Sequence, residues 1–112
     1  MAKTYILNIY DEKVIIQLKR AEYDTGHLAI IMESWDEEYK YFGEWDTLTT
    51  NFPTIKTGER CVFIQKDKYM DFVLENNLGV PTLREVQSGF NRYAEVLLNK
   101  ELLDEMEMLE WE

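Results

Sequence analysis

The sequence predicts an α+β protein: a mostly antiparallel sheet of five or six strands, with one short internal helix and a C-terminal helix packed on it. Three observations lead to this fold class. Short runs rich in Ile, Val and aromatic residues alternate with polar turn residues through the N-terminal half. One short segment in the middle of the chain has helical apolar spacing, and the end of the chain has a second such segment.

The N-terminal runs Tyr5–Tyr10 and Val14–Leu18 predict a β-hairpin, because both are β-rich and a short polar turn separates them. Alternation of apolar and polar residues in the second run gives it one inward face. A turn follows at Gly26, which is free to take positive φ. A third strand is expected from Leu28 to about Ser34.

A fourth strand, from Tyr39 to Thr50, is expected to pair back on the third and complete a meander. The Tyr and Trp residues between 35 and 45 should lie partly on the outer face of this sheet. Pro53 ends the strand because it has no N–H to donate to a ladder. The apolar run Cys61–Ile64 has the length of a fifth strand.

Two helices are predicted in the C-terminal half. The first runs from about residue 67 to 77, with Asp67 as its N-cap and Gly79 in the position that follows its C-terminus. The second covers Asn99–Glu112, where apolar residues recur on one side of a helix. The apolar positions of this terminal helix are Leu102, Leu103, Met106 and Leu109.

The segment after Pro81 is ambiguous. Thr82 and Glu85 offer a capping box, and the apolar residues from Phe90 to Leu98 fit a helical stripe. The Ser88–Gly89 pair argues against one continuous helix, so a strand from about Arg92 to Leu97 is the other interpretation.

Composition limits the classes of function. A chain of 112 residues, 46% of them apolar, can bury one core, so a single domain over residues 1–112 is expected. The formal charge of −10 disfavours direct binding to a nucleic-acid backbone. The lone Cys61 cannot form an intramolecular disulfide, which favours a reducing compartment. No apolar run is long enough to span a bilayer, so no membrane role and a cytoplasmic location are expected.

The excess acid is confined to residues 33–46 and 99–112. Each segment carries six acids against one lysine, whereas the rest of the chain holds ten acids and ten bases. On the terminal helix this is about one charge per 3.5 Å, about half the linear density of duplex DNA, which is compatible with nucleic-acid mimicry and also with a solvated helix face. The docking hypothesis assigns binding of a basic partner protein to Asp36, Glu37, Glu38, Glu101, Asp104, Glu105 and Glu107.

Catalytic and metal chemistry find little support in the sequence. His27 and Cys61 could formally make a nucleophilic pair, but Cys61 adjoins an apolar strand and His27 closes a glycine turn. Two such ligands cannot fill a tetrahedral zinc shell, so no metal and no cofactor are expected. We therefore expect a non-enzymatic protein. The alternatives are a small hydrolase or other enzyme of unknown type and a structural accessory subunit.

Four motifs in order resemble a family of small uncharacterised bacterial proteins carried on conjugative transposons, plasmids and phages of Firmicutes. They are Tyr23-x-x-Gly26-x-Leu28-Ala29-Ile30, Leu48-Thr49-x-Asn51-x-Pro53, Gly58-Glu59-x-x-x-Phe63-Ile64-x-Lys66 and Ser88-Gly89-Phe90. The resemblance covers about residues 3–98. The chain departs from the family pattern at His27 (usually Arg), at Phe52 (usually Leu) and in the acidic segment beyond Asn99.

The resemblance implies an α+β fold, a strand from Arg92 to Leu97 and an origin on a mobile genetic element. It implies no activity. Combined with the charge distribution, it leads to the expectation of a mobile-element accessory protein. Such a protein would bind a host or element protein through an acidic and aromatic surface.

Overall fold

The computed structural model describes residues 3–108, in which nine strands and two helices form two sheets. In chain order, the elements are β1 (Thr4–Ile9), β2 (Glu12–Glu22), β3 (Leu28–Asp36), β4 (Tyr41–Thr47), β5 (Thr49–Thr50), β6 (Cys61–Ile64), α1 (Asp67–Glu75), β7 (Gly79–Ser88), β8 (Asn91–Leu98), α2 (Lys100–Glu105) and β9 (Glu107–Met108).

The first sheet is an antiparallel meander in the order β1-β2-β3-β4. Hairpin register is regular between β1 and β2 and between β2 and β3, and one bulge between Met32 and Glu33 shifts the pairing of β3 with β4. Because β1 pairs only with the first part of β2, the backbone at Lys19 and Arg20 is open on that edge. The short strand β9 pairs there, parallel to β2.

The second sheet has the order β5-β6-β8-β7, so β6 and β8 are paired although β7 lies between them in the chain. The chain enters it directly from β4 through Leu48, a fully buried residue. The Leu48 N–H donates to Ile30 O on the first sheet at 2.9 Å, and Leu48 O accepts the Gln65 N–H beside β6 at 3.0 Å. This residue therefore ties the two sheets together.

One hydrophobic core lies between the inner faces of the two sheets and beneath both helices. Alternate residues of β2 and β3 point into it, among them Ile16, Leu18, Ile30 and Met32. The core continues through the second sheet and both helices, with Val62, Ile64, Tyr69, Phe72, Val73, Leu78, Val96, Leu98, Leu102, Leu103 and Met106.

The structure confirms the α+β class, the first hairpin, the third strand, the strand at Cys61–Ile64 and strand rather than helix for 92–97. The expectation of one sheet with five or six strands is wrong, because the chain turns out of the meander at Leu48 and forms a second sheet. Strand β7 accounts for the largest omission. It is an edge strand exposed along most of its length, so it lacks the alternating apolar pattern that marks a half-buried strand.

The first helix lies where it was predicted, but its ends differ. Its N-cap is Lys66, which makes no side-chain cap, and Asp67 is the first helical residue. At the other end Asn77 takes the left-handed conformation, with φ of 56°. Gly79 instead opens β7, where an added Cβ would lie 2.5 Å from Leu97 O. The glycine is needed for close strand approach, not for ending the helix.

The predicted terminal helix over Asn99–Glu112 is much shorter in the structure. It ends at Glu105, and Glu107 lies in β9. Arg20 Nη1 donates to Leu103 O at 3.1 Å and so satisfies a carbonyl near the C-terminus of the helix. Leu102, Leu103 and Met106 are buried as expected, while Leu109 falls outside the described residues.

Candidate functional site

The turn between β3 and β4 holds three of the predicted docking residues in one fixed conformation. The Asp36 carboxylate accepts the backbone N–H of Glu38 at 2.9 Å and of Tyr39 at 3.0 Å. The Lys40 N–H donates to Asp36 O at 2.8 Å, and Lys40 has a positive φ of 55°. Asp36 therefore organises the turn, and Glu38 is left free on its surface.

Aromatic side chains surround this turn. The rings of Trp35 and Phe42 lie 5.1 Å apart, and those of Tyr39 and Tyr41 lie 6.5 Å apart. The indole N–H of Trp35 donates to Glu37 Oε2 at 2.7 Å, and Lys40 forms an ion pair with the same carboxylate. Hydrogen bonds from Lys40 and Trp35 lower the pKa of Glu37. The turn is therefore a small ordered platform of aromatic rings and carboxylates.

An apolar row crosses the outer face of the first sheet beside this platform. Ile6 pairs with Ile15 across β1 and β2, and Trp35 pairs with Phe42 across β3 and β4. Because Ile16 pairs with Ser34, the register places Ile15 next to Trp35. Ile6 and Ile15 alternate with residues that pack in the core, and the register places Trp35 and Phe42 on the same face of the sheet, opposite the core. We call the set Ile6, Ile15, Trp35 and Phe42 the outer stripe.

The outer stripe remains accessible. Ile6 and Ile15 are 41% and 40% exposed, and Trp35 and Phe42 are half-buried against each other. Elsewhere on this face Ala21, Ala29 and Ile31 form a small buried cluster with Tyr23 against them. The exposed apolar surface of this face is therefore concentrated in the outer stripe.

Carboxylates lie on both sides of the outer stripe. On one side Glu33 pairs with Glu44 across β3 and β4, and Glu33 also contacts Lys19 at 3.6 Å and Gln17 at 3.1 Å. On the other side are the β1–β2 and β3–β4 turns, which lie at the same end of the sheet because the meander is antiparallel. Acids outnumber lysines in both turns: Asp11 and Glu12 against Lys13, and Asp36, Glu37 and Glu38 against Lys40.

The predicted docking acids at the C-terminal end lie apart from the platform. Glu107 pairs with Lys19 of β2, whereas the β2–β3 register brings the β3–β4 turn level with Lys13. Six residues of strand separate these levels, or about 20 Å. Glu101, Asp104 and Glu105 are exposed on α2, and Glu105 is paired with Lys3 at 3.2 Å. The structure thus separates the acids of the β3–β4 turn from those of α2 and β9, which lie toward the other end of the first sheet.

Ion pairs neutralise part of the acidic excess. Glu33, Glu37, Asp46, Glu95 and Glu105 each contact a lysine or arginine. Among residues 3–108, the acids near the platform that lie in no ion pair are Asp11, Glu12, Asp36, Glu38 and Glu44. The register places Asp11 and Glu44 beside this surface, whereas Glu12 lies on the same side of β2 as Val14 and Ile16, which is the core side.

His27 and Cys61 line the same small cavity, which has a volume of about 10 Å³. His27 Nδ1 lies 2.7 Å from Asn51 Oδ1. Burial raises the pKa of the Cys61 thiol, and the charge of Glu95 raises it further. A protonated thiol is a weak nucleophile, and a cavity of this size holds about one water molecule. The cavity that the two residues share is thus too small for an organic substrate, whereas His27 also lines a second cavity of about 420 Å³, beside Arg20 and Glu22.

A cavity of about 670 Å³ lies between the start of α1 and the β7–β8 hairpin. Its charged lining residues are balanced, with Lys66 and Arg92 against Asp67 and Glu85. Within residues 3–108, no three His, Cys, Asp or Glu side chains are grouped so that they could hold a metal ion. None of the helices in this part of the chain has the length and apolar character needed to cross a membrane.

Comparison with known proteins gives a family and no further relative. No curated protein and no solved structure matches the chain. A protein family described as a domain of unknown function matches residues 16–110, from the middle of the first hairpin to beyond β9. The match spans most of the chain and includes the segment that follows Asn99. The chain therefore belongs to the family of the domain of unknown function DUF4313.

Proposed function

We propose that this protein is a non-enzymatic accessory protein of a mobile genetic element, which binds a basic host or element protein through an acidic and aromatic surface. The surface consists of the β3–β4 turn, the neighbouring β1–β2 turn, the outer stripe and the exposed Glu44 beside the stripe. We name it the acidic platform. The C-terminal acids Glu101, Asp104, Glu105 and Glu107 form a second, separate acidic patch.

The observation that carries the proposal is the order of the β3–β4 turn. Its backbone is held by Asp36, and its aromatic rings pack in pairs. A surface that is already ordered loses little conformational entropy when a partner binds. Aromatic side chains are also the residues that contribute most to protein interfaces, with charges at the rim steering the approach.

The charge of the platform supports a basic partner. Carboxylates at Glu38, Glu44 and Asp11, which lie in no ion pair within residues 3–108, lie beside these apolar side chains, a pattern that attracts cationic proteins and repels nucleic acid. If the partner itself binds DNA, the protein would compete with DNA for it, which is the form that nucleic-acid mimicry would take. The mobile-element origin rests on the sequence resemblance described above.

Affinity capture from a host lysate tests the proposal with three matched variants, each of which removes three charges. The platform variant carries Asp11→Asn, Glu38→Gln and Glu44→Gln, and leaves Asp36 in place to hold the turn. The patch variant changes Glu101, Asp104 and Glu107 to their amides. The control variant changes the exposed residues Glu59, Asp71 and Glu85, which lie elsewhere in the fold.

Loss of one captured basic protein from the platform variant, and its retention by the control variant, would support the proposal. With that protein purified, its association rate at low ionic strength should be about tenfold lower for the platform variant than for the wild type. Added salt should lower the association rate of the wild type. A partner that is retained equally by all three variants would show that the acidic platform is not the docking surface. Loss of the captured protein from the patch variant alone would instead place the docking site on α2 and β9.

A further inference from the structure

The outer stripe has a defined direction and spacing, and both restrict the kind of partner that fits it. Its four side chains lie in a single row, one on each of β1, β2, β3 and β4. Adjacent strands are about 4.8 Å apart, so the row is about 14 Å long and runs across the strands.

We propose that the outer stripe binds one face of a basic amphipathic α-helix of the partner protein. This inference rests on the proposed function, and it names the structural class of the partner. Successive turns of an α-helix are about 5.4 Å apart, which is close to the strand spacing, so each turn can place one apolar side chain against one strand. The row therefore matches about three turns, or ten residues.

An extended peptide fits the row poorly. Side chains on one face of a strand recur about every 6.7 Å, so after three steps an extended chain would be about 6 Å out of phase with the stripe. A helix is out of phase by only about 2 Å over the same distance. Geometry therefore favours the helix.

The charges beside the row indicate the polar residues of that helix. Glu44 lies exposed on one side. Glu38 and Asp11 lie in the turns on the other side, where strand alternation also places Lys13 on the outer face. A helix with Lys or Arg on either side of its apolar stripe would meet carboxylates on both sides. A second copy of this chain, with a charge of −10, would place acids against acids, so self-association through this face is disfavoured.

The contrast with the other exposed apolar residues supports this choice of surface. Leu83 and Phe90 on the β7–β8 hairpin are 93% and fully exposed, but they stand singly on a bulged edge strand and a turn. Single exposed apolar residues are common on protein surfaces, whereas a contiguous row with a charged border is typical of a binding site. Leu83 therefore provides a matched control.

The test uses two synthetic peptides of 14 residues with the same Leu and Lys composition. In the first, the Leu residues recur at helical spacing on one face; in the second, they are permuted around the helix. Binding to the full-length protein is measured by calorimetry at 0.1 M salt, and the contact face is located from NMR shifts of the isoleucine methyl groups. The variants are Ile15→Ser, Ile6→Ser as an independent second change, and Leu83→Ser as the control.

The amphipathic peptide should bind the wild-type protein at least tenfold more tightly than the permuted peptide. Ile15→Ser and Ile6→Ser should each weaken it about five- to tenfold, because burial of the apolar side chain is lost, and Leu83→Ser should leave it unchanged. Equal binding of the two peptides, or an equal loss with Leu83→Ser, would overturn the helix inference. A wild-type dimer that Ile15→Ser dissociates would also overturn it, because the occupant would then be a second copy.

The platform variant separates this inference from the proposed function. If it loses binding while the stripe variants do not, the acidic platform is retained as a docking surface and the helix inference fails. If neither set of changes affects binding of the peptide or of the captured partner, the proposed function fails as well.

Discussion

The two faces of the first sheet share one backbone but differ in what their side chains do. Ile16 and Met32 on the inner face are completely buried, whereas Ile15, one residue away, is 40% exposed on the outer face. The alternation of a strand therefore separates residues that hold the fold from residues that are free to bind. Substitutions on the two faces should affect different measurements.

The largest effect is expected for Ile16→Ala. The side chain is fully buried, so its truncation should lower the free energy of unfolding by about 2–5 kcal/mol. Ile15→Ala should cost about 1 kcal/mol or less, since its side chain already contacts water. Urea unfolding of the two variants measures the difference. Similar losses for both would mean that the outer face is also covered, and would remove the basis of the comparison.

The second prediction concerns the packing of α2 against the core on the inner face of the first sheet. Leu102 is buried against the core, so Leu102→Ala should lower the free energy of unfolding by about 2–3 kcal/mol. Glu101→Ala, on the exposed side of the same short helix, should change it by less than about 0.5 kcal/mol. An unchanged urea midpoint in Leu102→Ala would show that α2 is an appendage, with its acids available for binding.

The third prediction concerns Asp46, which joins β4 to α1. Its Oδ2 accepts from Tyr69 Oη at 2.5 Å and from Lys66 Nζ at 3.1 Å, and its Oδ1 accepts the Thr47 N–H at 2.8 Å. Burial opposes ionisation of this carboxyl, but the hydrogen bonds outweigh burial and lower its pKa. At neutral pH, Asp46→Asn should cost about 1.5–3 kcal/mol.

The pH dependence follows from the direction of that shift. A carboxyl with a pKa lowered by folding stabilises the fold above its unfolded pKa of about 4, and this stabilisation is lost as the pH falls through the folded value. The stability difference between wild type and Asp46→Asn should therefore shrink between pH 7 and pH 2.5. Urea midpoints across this range provide the test. A constant difference would mean that the carboxylate is not ionised in the hydrogen-bonded cluster.

The smallest effects are expected away from both faces of the first sheet, at Cys61 and His27. Cys61→Ser and His27→Gln should each change the free energy of unfolding by about 1 kcal/mol or less and leave partner binding unchanged. Partner binding and any cellular phenotype are compared at matched stability. Loss of function without loss of stability in either variant would contradict the non-enzymatic proposal.

The sequence predicted the first sheet better than the second because their pairings differ in range. Strands β1 to β4 pair with their neighbours in the chain, so local alternation and turn residues were sufficient to predict the meander. In the second sheet β6 pairs with β8 across the intervening helix and β7. Such distant pairings have no local signature. In the exposed β7, Thr82 and Glu85 also have the spacing of a capping box, which indicated the start of a helix.

The candidate site divides in the same way. The acids at 36–38 and the neighbouring aromatic residues were evident from the sequence, because charge and residue type are local properties. The outer stripe was not evident, since Ile6, Ile15 and Trp35 meet only when two strand registers are known. The length of the terminal helix was overestimated because the apolar spacing of Leu102, Leu103 and Met106 fits a helix as well as a turn into a strand.

By itself, the sequence determined the α+β class, the two acidic segments, the meander and the position of α1. These depend on periodicity, turn chemistry and composition, which act over a few residues. Only the tertiary structure decided that Leu48 leads the chain into a second sheet, that β9 fills the open edge at Lys19 and Arg20, and that the β3–β4 turn lies about 20 Å from Glu107. These features follow from backbone hydrogen bonds and burial that distant parts of the chain can satisfy only together.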